Sequence, residues 1–202
     1  MTLTQTASIK ELIAKAGLSN ANAVDTPCAT GFVFTKADCP QTEEDKLARA
    51  TEQKWFRSAL MSCMYYSSWS KPDITFTISK LAKFMHNPGD KHKAALKRLI
   101  RYVGAKSSRG LTYSFAGPPA KAGMYGYYDA AFADDVDTRR STMGYVFFYE
   151  GCAISWHSKL HTYVTTSSNH SEYCAGAKAA REAKMLKMMM TELGFGSDVS
   201  PI

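Results

Sequence analysis

Two acidic residues, Asp129 and Glu172, have the chemical type and the placement that phosphodiester hydrolysis would need. Asp129 follows an aromatic run in "YGYYDAAFADD", residues 125–135, which predicts a strand that ends at this carboxylate. Glu172 falls in the first turn of a long predicted helix. Carboxylate oxygens are the ligands that Mg²⁺ prefers, and paired magnesium ions activate water and stabilise a leaving oxygen. The two residues are therefore candidate catalytic and metal-binding residues.

Each of the two carboxylates also has a purely structural interpretation. A carboxylate at the end of a buried strand needs a cation or hydrogen-bond donors, and loop N–H groups could supply the donors for Asp129. Glu172 lies three residues after Asn169, which is the spacing of a helix capping box. Spacing alone favours these structural roles over a metal site.

Positive charge is concentrated at two places and could bind nucleic acid. Seven Lys or Arg and no acidic residue lie between Lys91 and Arg109, and Arg139 and Arg140 follow a run of acids in a loop. Guanidinium forks suit phosphate, and a basic helix face can follow a nucleic-acid backbone. A solvated helix face and a loop with internal ion pairs are the alternatives. The candidate nucleic-acid-binding residues are Lys93, Lys97, Arg101, Arg139 and Arg140.

The composition is that of a globular chain with a basic surface. The 202 residues are 45% hydrophobic and 21% charged, with a formal net charge of +7. Five irregularly spaced cysteines predict reduced thiols, and no apolar run or signal-peptide pattern indicates a membrane. We therefore expect an intracellular protein without membrane contact, in cytoplasm or nucleus. Three histidines show no metal-binding spacing and are expected at the surface or in loops: His157, His161 and His170.

The elements that must position these residues change in type along the chain. Periodicity predicts helices over 6–18, 52–70, 73–87 and 92–106, with an extended arm over 18–42. Strands are predicted over 110–115, 124–130, 143–149 and 152–157, with a further short strand possible over 162–166. A long helix is predicted from Ser168 to about Leu193. This order predicts an α+β fold, with the boundary in the loop from Gly117 to Gly123.

Several of these segments, taken together and in order, resemble the ribonuclease H region of copia-type retrotransposon polyproteins. The matching stretches are "GYYDAAFADDVDTRRSTMGYVFF", "AISWHSKLH" and "TTSSNHSEYCA". Upstream, "WFRSALMSCMYYSSWSKPDITFTISKLAKFMHNP" and "HKAALKRLIRYVGAKSSRGLTY" resemble the stretch between the polymerase palm and ribonuclease H. The resemblance covers nearly the whole chain and involves several motifs in the same order and spacing.

The resemblance implies roles, and this sequence also departs from the family pattern. Asp129 matches the first metal-binding Asp, and Glu172 matches the second acidic ligand. The ions would be Mg²⁺ and the substrate the RNA strand of an RNA–DNA hybrid. Ala131 stands where the family has a second Asp, and His170 replaces the first Glu of its SSTEAEY motif. The family's third acidic ligand is not matched, because no strand pattern precedes Asp198, and its later fourth acidic ligand is not matched either. No YxDD-type polymerase sequence is present.

These features together give the expected organisation and function. Residues 1–116 would form a helical region like the reverse-transcriptase C-terminal connection, and 124–202 a partial ribonuclease H-like domain with an incomplete mixed sheet. The expected activity is Mg²⁺-dependent hybrid cleavage, weak or absent in this chain because half of the metal ligands are missing. The alternatives are a non-catalytic nucleic-acid-binding module and a degenerate retroelement remnant. Possible partners are an RNA–DNA hybrid or other nucleic acid and the rest of a polyprotein.

Overall fold

A computed structural model describes residues 1–113 and 123–195. The chain divides into two compact units, one of residues 2–111 and one of residues 112–202 together with Met1. Two strands of two residues each, β1 (Thr2–Leu3) and β2 (Leu111–Thr112), pair with each other. The first unit is otherwise helical and the second contains a three-stranded sheet, so the α+β class is confirmed.

The helical unit contains five helices that follow the apolar periodicity of the sequence. They are α1 (Thr6–Lys15), α2 (Glu43–Ala48), α3 (Ala50–Trp69), α4 (Thr75–Ala82) and α5 (Asp90–Ala105). The apolar stripes of α1, α3, α4 and α5 meet in one core, in which Phe56, Leu60, Leu96 and Leu99 are completely buried, whereas α2 has no buried residue. Helices with one apolar stripe are stable only when that stripe is covered, and here each supplies the cover for the others.

Lys71, in the segment that follows α3, connects this segment to the end of α5. Its side chain is almost completely buried, and its Nζ donates hydrogen bonds to the carbonyls of Lys106 and Arg109. These carbonyls follow the last turn of α5, where the helix dipole favours a cation. Burial lowers the pKa of Lys71 from its ordinary value. Two residues on, Asp73 accepts a hydrogen bond from the hydroxyl of Tyr102 in α5, at 2.5 Å.

The second unit is an antiparallel sheet with one long helix. Strands β3 (Met124–Ala131), β4 (Thr142–Tyr149) and β5 (Cys152–Leu160) lie in the order β3-β4-β5, and helix α6 (Ser168–Glu192) follows. Glu150 and Gly151 form the tight turn between β4 and β5, with φ of 49° and 77°. Both central residues of a type I′ hairpin turn need positive φ, which agrees with the predicted hairpin.

Helix α6 packs on one face of this sheet, close to β3. A Cβ added to Gly176 of α6 would lie 3.1 Å from the ring of Tyr128 in β3. On the same face, a Cβ added to Gly126 would lie 2.5 Å from the ring of Phe147, which is itself 1% exposed. The two glycines therefore leave the room that these aromatic rings occupy between sheet and helix.

The sequence predictions for individual elements are mostly confirmed, with two errors. The predicted strand over 162–166 is wrong, since this segment is an irregular connection between β5 and α6. The arm over 18–42 is non-helical except for a 3₁₀ turn at Lys36–Asp38, and the short helix α2 after it was not predicted. The predicted boundary loop lies, apart from Gly123, outside the described residues, as do Asp198 and the end of the region 124–202.

We expect the substitution Lys71→Met to lower the free energy of unfolding of the helical unit by about 2 kcal/mol, because it removes two charge-assisted hydrogen bonds from buried carbonyls. Urea denaturation followed by circular dichroism measures this loss. Lys54→Met, at an exposed position of α3, is the matched control and should change stability by less than about 0.5 kcal/mol. Equal effects of the two substitutions would contradict the role of Lys71.

Candidate functional site

Asp129 lies within β3 rather than at its end, and its side chain is exposed. Side chains alternate between the two faces of a strand, and β3 is regularly paired with β4 over its whole length. Tyr128 faces α6, so Asp129 faces the opposite side of the sheet. Its cross-strand partner is Gly144, and it shares its face with Tyr127, which is 59% exposed. The expectation of a carboxylate in a buried strand end is therefore wrong.

Glu172 lies on α6, beside the edge strand of the sheet. With Tyr128 and Asn169 it lines an open pocket of about 720 Å³, and its side chain is half-buried. The helix N-cap is Ser167, whose hydroxyl accepts a hydrogen bond from the N–H of His170 at 3.1 Å. Glu172 is thus two residues beyond the position that a capping box uses, and the capping interpretation of this residue is wrong.

The shared magnesium site stays a prediction, and its two candidate ligands lie on different elements of the second unit. Asp129 is on the face of the sheet away from α6, whereas Glu172 belongs to α6 itself. A shared ion requires oxygens of both side chains within about 2.1 Å of one point. Within residues 1–113 and 123–195, no group of three or more His, Cys, Asp or Glu side chains is arranged to hold a metal ion.

The basic residues of α5 are engaged mainly with other parts of the helical unit. Lys93 contacts the carboxylates of both Glu52 and Asp90, and its side chain is only 13% exposed. Burial opposes the charged ammonium, but the hydrogen bonds to these acids outweigh it and raise the pKa of Lys93. The expectation that Lys93 is a solvated cation on an open helix face is therefore wrong.

Lys97 and Arg101 also have internal contacts, although they remain accessible. The ammonium of Lys97 lies 5.9 Å from the ring centroid of Trp55, within reach of a cation–π interaction. Arg101 Nε donates to the carbonyl of Asn22 at 2.7 Å, and Arg98 donates to Thr26 Oγ1 at 2.8 Å. These hydrogen bonds hold the non-helical arm against α5. Some basic side chains of this helix therefore stabilise the fold.

Arg139 and Arg140 lie in the loop between β3 and β4, whose shape is set by other side chains. Arg139 is exposed and has a φ of 56°. The backbone N–H of Asp135 donates to the carbonyl of Arg140 at 3.1 Å, and Thr142 Oγ1 donates to Asp134 at 2.8 Å. These hydrogen bonds hold the loop, and the Arg139 side chain is exposed to solvent.

The histidines of the second unit are less exposed than the sequence predicts. His161 is 4% exposed and His157 is half-buried within β5. Burial lowers the pKa of both imidazoles, assisted at His157 by the nearby Lys178 and Lys159 and at His161 by His170. The expectation of surface or loop histidines is therefore wrong for His157, which lies within β5, whereas His161 lies in the segment after β5 but is buried there. The predicted strand over 152–157 already included His157, which pairs with Tyr145 across the sheet.

Comparison with known proteins covers nearly the whole chain. Over 193 residues, 96% of the chain, it is 35% identical to a retrovirus-related Pol polyprotein from the Nicotiana tabacum transposon TNT 1-94. Over 200 residues it is 29% identical to the corresponding polyprotein from the Arabidopsis thaliana transposon RE1. The chain belongs to the copia-type retrotransposon Pol polyproteins. It spans only 14% and 13% of the length of these two relatives.

A shorter relative matches a comparable segment. The chain is 38% identical over 131 residues to a protein named secreted RxLR effector protein 161 from Plasmopara viticola, and this match covers 65% of the chain and 90% of the relative. No protein-family model matches the chain. No solved structure matches it either. In the described part of the chain, no helix is both long and apolar enough to cross a membrane.

We expect the stability of the second unit to decrease as the pH falls below about 6.5, the ordinary pKa of histidine. Because the folded-state pKa values of His157 and His161 lie below this value, the unfolded state binds more protons in this range, and stability is lost as the pH falls. Thermal unfolding at several pH values measures the effect. The double substitution His157→Gln and His161→Gln should flatten the dependence, whereas His86→Gln, at an exposed position of the helical unit, should not.

Proposed function

We propose that this chain is the part of a retrotransposon reverse transcriptase that joins the polymerase to a ribonuclease H-like domain, and that it binds an RNA–DNA hybrid without cleaving it alone. In this proposal, residues 1–116 are the connection-like region and 124–202 the partial ribonuclease H-like domain. The match to Pol polyproteins along the chain supports the context. The order of three antiparallel strands and a long helix supports the assignment of the second region.

The main support for the proposed absence of cleavage is the position of Asp129. Two-metal hydrolysis requires carboxylates that converge on the same ions, so that attacking and leaving oxygens are held together. Asp129 and Glu172 belong to opposite sides of the sheet, and this separation argues against a shared Mg²⁺.

Accessible arginines support hybrid binding. Arg139 is exposed on the β3–β4 loop, and Arg140 follows it. Guanidinium groups bind phosphate oxygens through paired hydrogen bonds. Lys97 and Arg101 can add to the contact surface of the helical unit, whereas Lys93 is already neutralised by two acids.

We expect no cleavage of an RNA–DNA hybrid by the chain in the presence of Mg²⁺, as measured by gel electrophoresis of a hybrid with end-labelled RNA. Any background signal should be the same for Asp129→Asn and for the unaltered chain, because this carboxylate does not share an ion with Glu172. A hybrid nuclease added to the same reaction controls for substrate quality. Cleavage that depends on Mg²⁺ and disappears in Asp129→Asn would contradict the proposed lack of activity.

We expect the double substitution Arg139→Gln and Arg140→Gln to weaken hybrid binding and to reduce the slope of log affinity against log salt by about two, roughly one for each lost phosphate contact. Fluorescence anisotropy at several salt concentrations measures both quantities. Lys93→Gln is the control, and it should leave the slope unchanged because its ammonium is already paired. If the unaltered chain binds no hybrid at low salt, the proposed binding function is wrong.

A further inference from the structure

A second pocket in the sheet unit is lined by neither of the two candidate carboxylates. It has a volume of about 450 Å³ and is lined by residues of β5, of the segment after it and of α6. This volume is within the range of about 300–1,000 Å³ that is common for small-molecule sites. Its walls include Lys159 of β5 and Lys178 and Arg181 of α6. Neither Asp nor Glu is among the described residues that line it.

Two imidazoles in this pocket have unsatisfied nitrogens. His157 and His161 line the pocket, and the Nε2 atom of each is buried without a hydrogen-bond partner. A buried polar atom without a partner costs about 1–3 kcal/mol, and a bound ion or ligand is one common explanation. His161 is held in place by its backbone N–H, which donates to the carbonyl of Ser141 at 2.8 Å. This hydrogen bond fixes the backbone of His161 beside the start of β4.

The charged surroundings of His157 show what kind of ligand would be favoured. Lys159 and Lys178 act on this imidazole from β5 and α6, and they lower its pKa in addition to the effect of burial. Glu182 of α6 is the one acid that acts on it in the opposite direction, and its carboxylate accepts a hydrogen bond from Ser155 at 2.6 Å. The net field in the pocket is positive, so an anion would be attracted and a cation repelled.

We propose that the pocket of His157, Lys159, His161, Lys178 and Arg181 is a phosphate-binding site. A phosphate group offers several acceptor oxygens to donors that approach from different directions, which matches an arginine, two lysines and two imidazole nitrogens arranged around one cavity. The phosphate can be free inorganic phosphate or a phosphate group of a nucleic-acid backbone. This site is independent of the carboxylates Asp129 and Glu172 and of the loop arginines.

Titration of the full chain with inorganic phosphate, followed by NMR of the histidine side chains, tests the site. Potassium chloride at matched ionic strength is the control. Phosphate should shift the signals of His157 and His161 in a saturable way and raise the pKa of His157, because an anion stabilises the imidazolium. Spectra of His157→Gln and His161→Gln assign the signals. Absence of saturable shifts, or equal shifts with chloride, would overturn the proposal.

Two double variants on the same helix distinguish phosphate binding in the pocket from nonspecific attraction to a positively charged helix. The double substitution Lys178→Gln and Arg181→Gln should raise the dissociation constant for phosphate about tenfold or more, since charge-assisted hydrogen bonds are removed. Lys184→Gln with Lys187→Gln makes the same change in net charge on exposed positions of α6 outside the pocket, and it should change the constant less than twofold. Equal effects of the two pairs would contradict the site.

Competition with an RNA–DNA hybrid distinguishes the two sources of phosphate. If the hybrid displaces inorganic phosphate from the His157 and His161 signals, the site accepts a backbone phosphate. If the hybrid binds elsewhere or does not bind, and phosphate still saturates the site, the ligand is a free phosphate group. The second result would leave the phosphate site intact even where the proposed hybrid binding fails, so the two proposals fail separately.

Discussion

The packing of α6 against one face of the three-stranded sheet determines which side chains of the second unit can act together. Gly126 and Gly176 leave room for the rings of Phe147 and Tyr128 between sheet and helix, and this fixes which residues of β3 face α6. Because side chains alternate between the two faces of a strand, the residues on either side of Tyr128 must face away from α6. Asp129 is assigned to the far face by this constraint, whatever chemistry its carboxylate could perform.

The same packing brings together a different set of residues on the helix side. The cross-strand pairing of Tyr145 with His157 aligns two rings at 5.4 Å, and Ser155 of β5 reaches Glu182 of α6. Burial raises the pKa of Tyr145 to about 12, and Glu182 adds to this effect, so its phenol stays protonated. At the side of β5, Lys178 and Arg181 of α6 line the same pocket as His157 and His161.

In the helical unit, the number of basic residues along α5 overstates how many cations are left to bind a ligand. A run of seven basic residues without an acid predicts a nucleic-acid surface. In the folded unit, however, several of these side chains form ion pairs or hydrogen bonds with other residues of the same unit. Lys93 contacts Glu52 and Asp90, Arg101 holds the backbone of Asn22, and Lys106 lies 3.2 Å from Asp25. Asp90 belongs to α5 itself, but Glu52, Asp25 and the carbonyl of Asn22 come from segments distant in sequence, so counting charges along the helix could not reveal them.

The sequence by itself determined the elements and the family of this protein. Helical periodicity gave α1, α3, α4, α5 and α6, and the hairpin at Glu150 and Gly151 followed from turn chemistry, because these signals depend on residues close together in the chain. The tertiary structure alone decided which face of β3 meets α6, that His161 is buried, and that Lys93 is paired. These properties depend on contacts between residues far apart in sequence, which local patterns do not encode. The placement of Asp129 on the face away from α6 and the presence of His157 and Lys178 in one pocket are two results of the same packing.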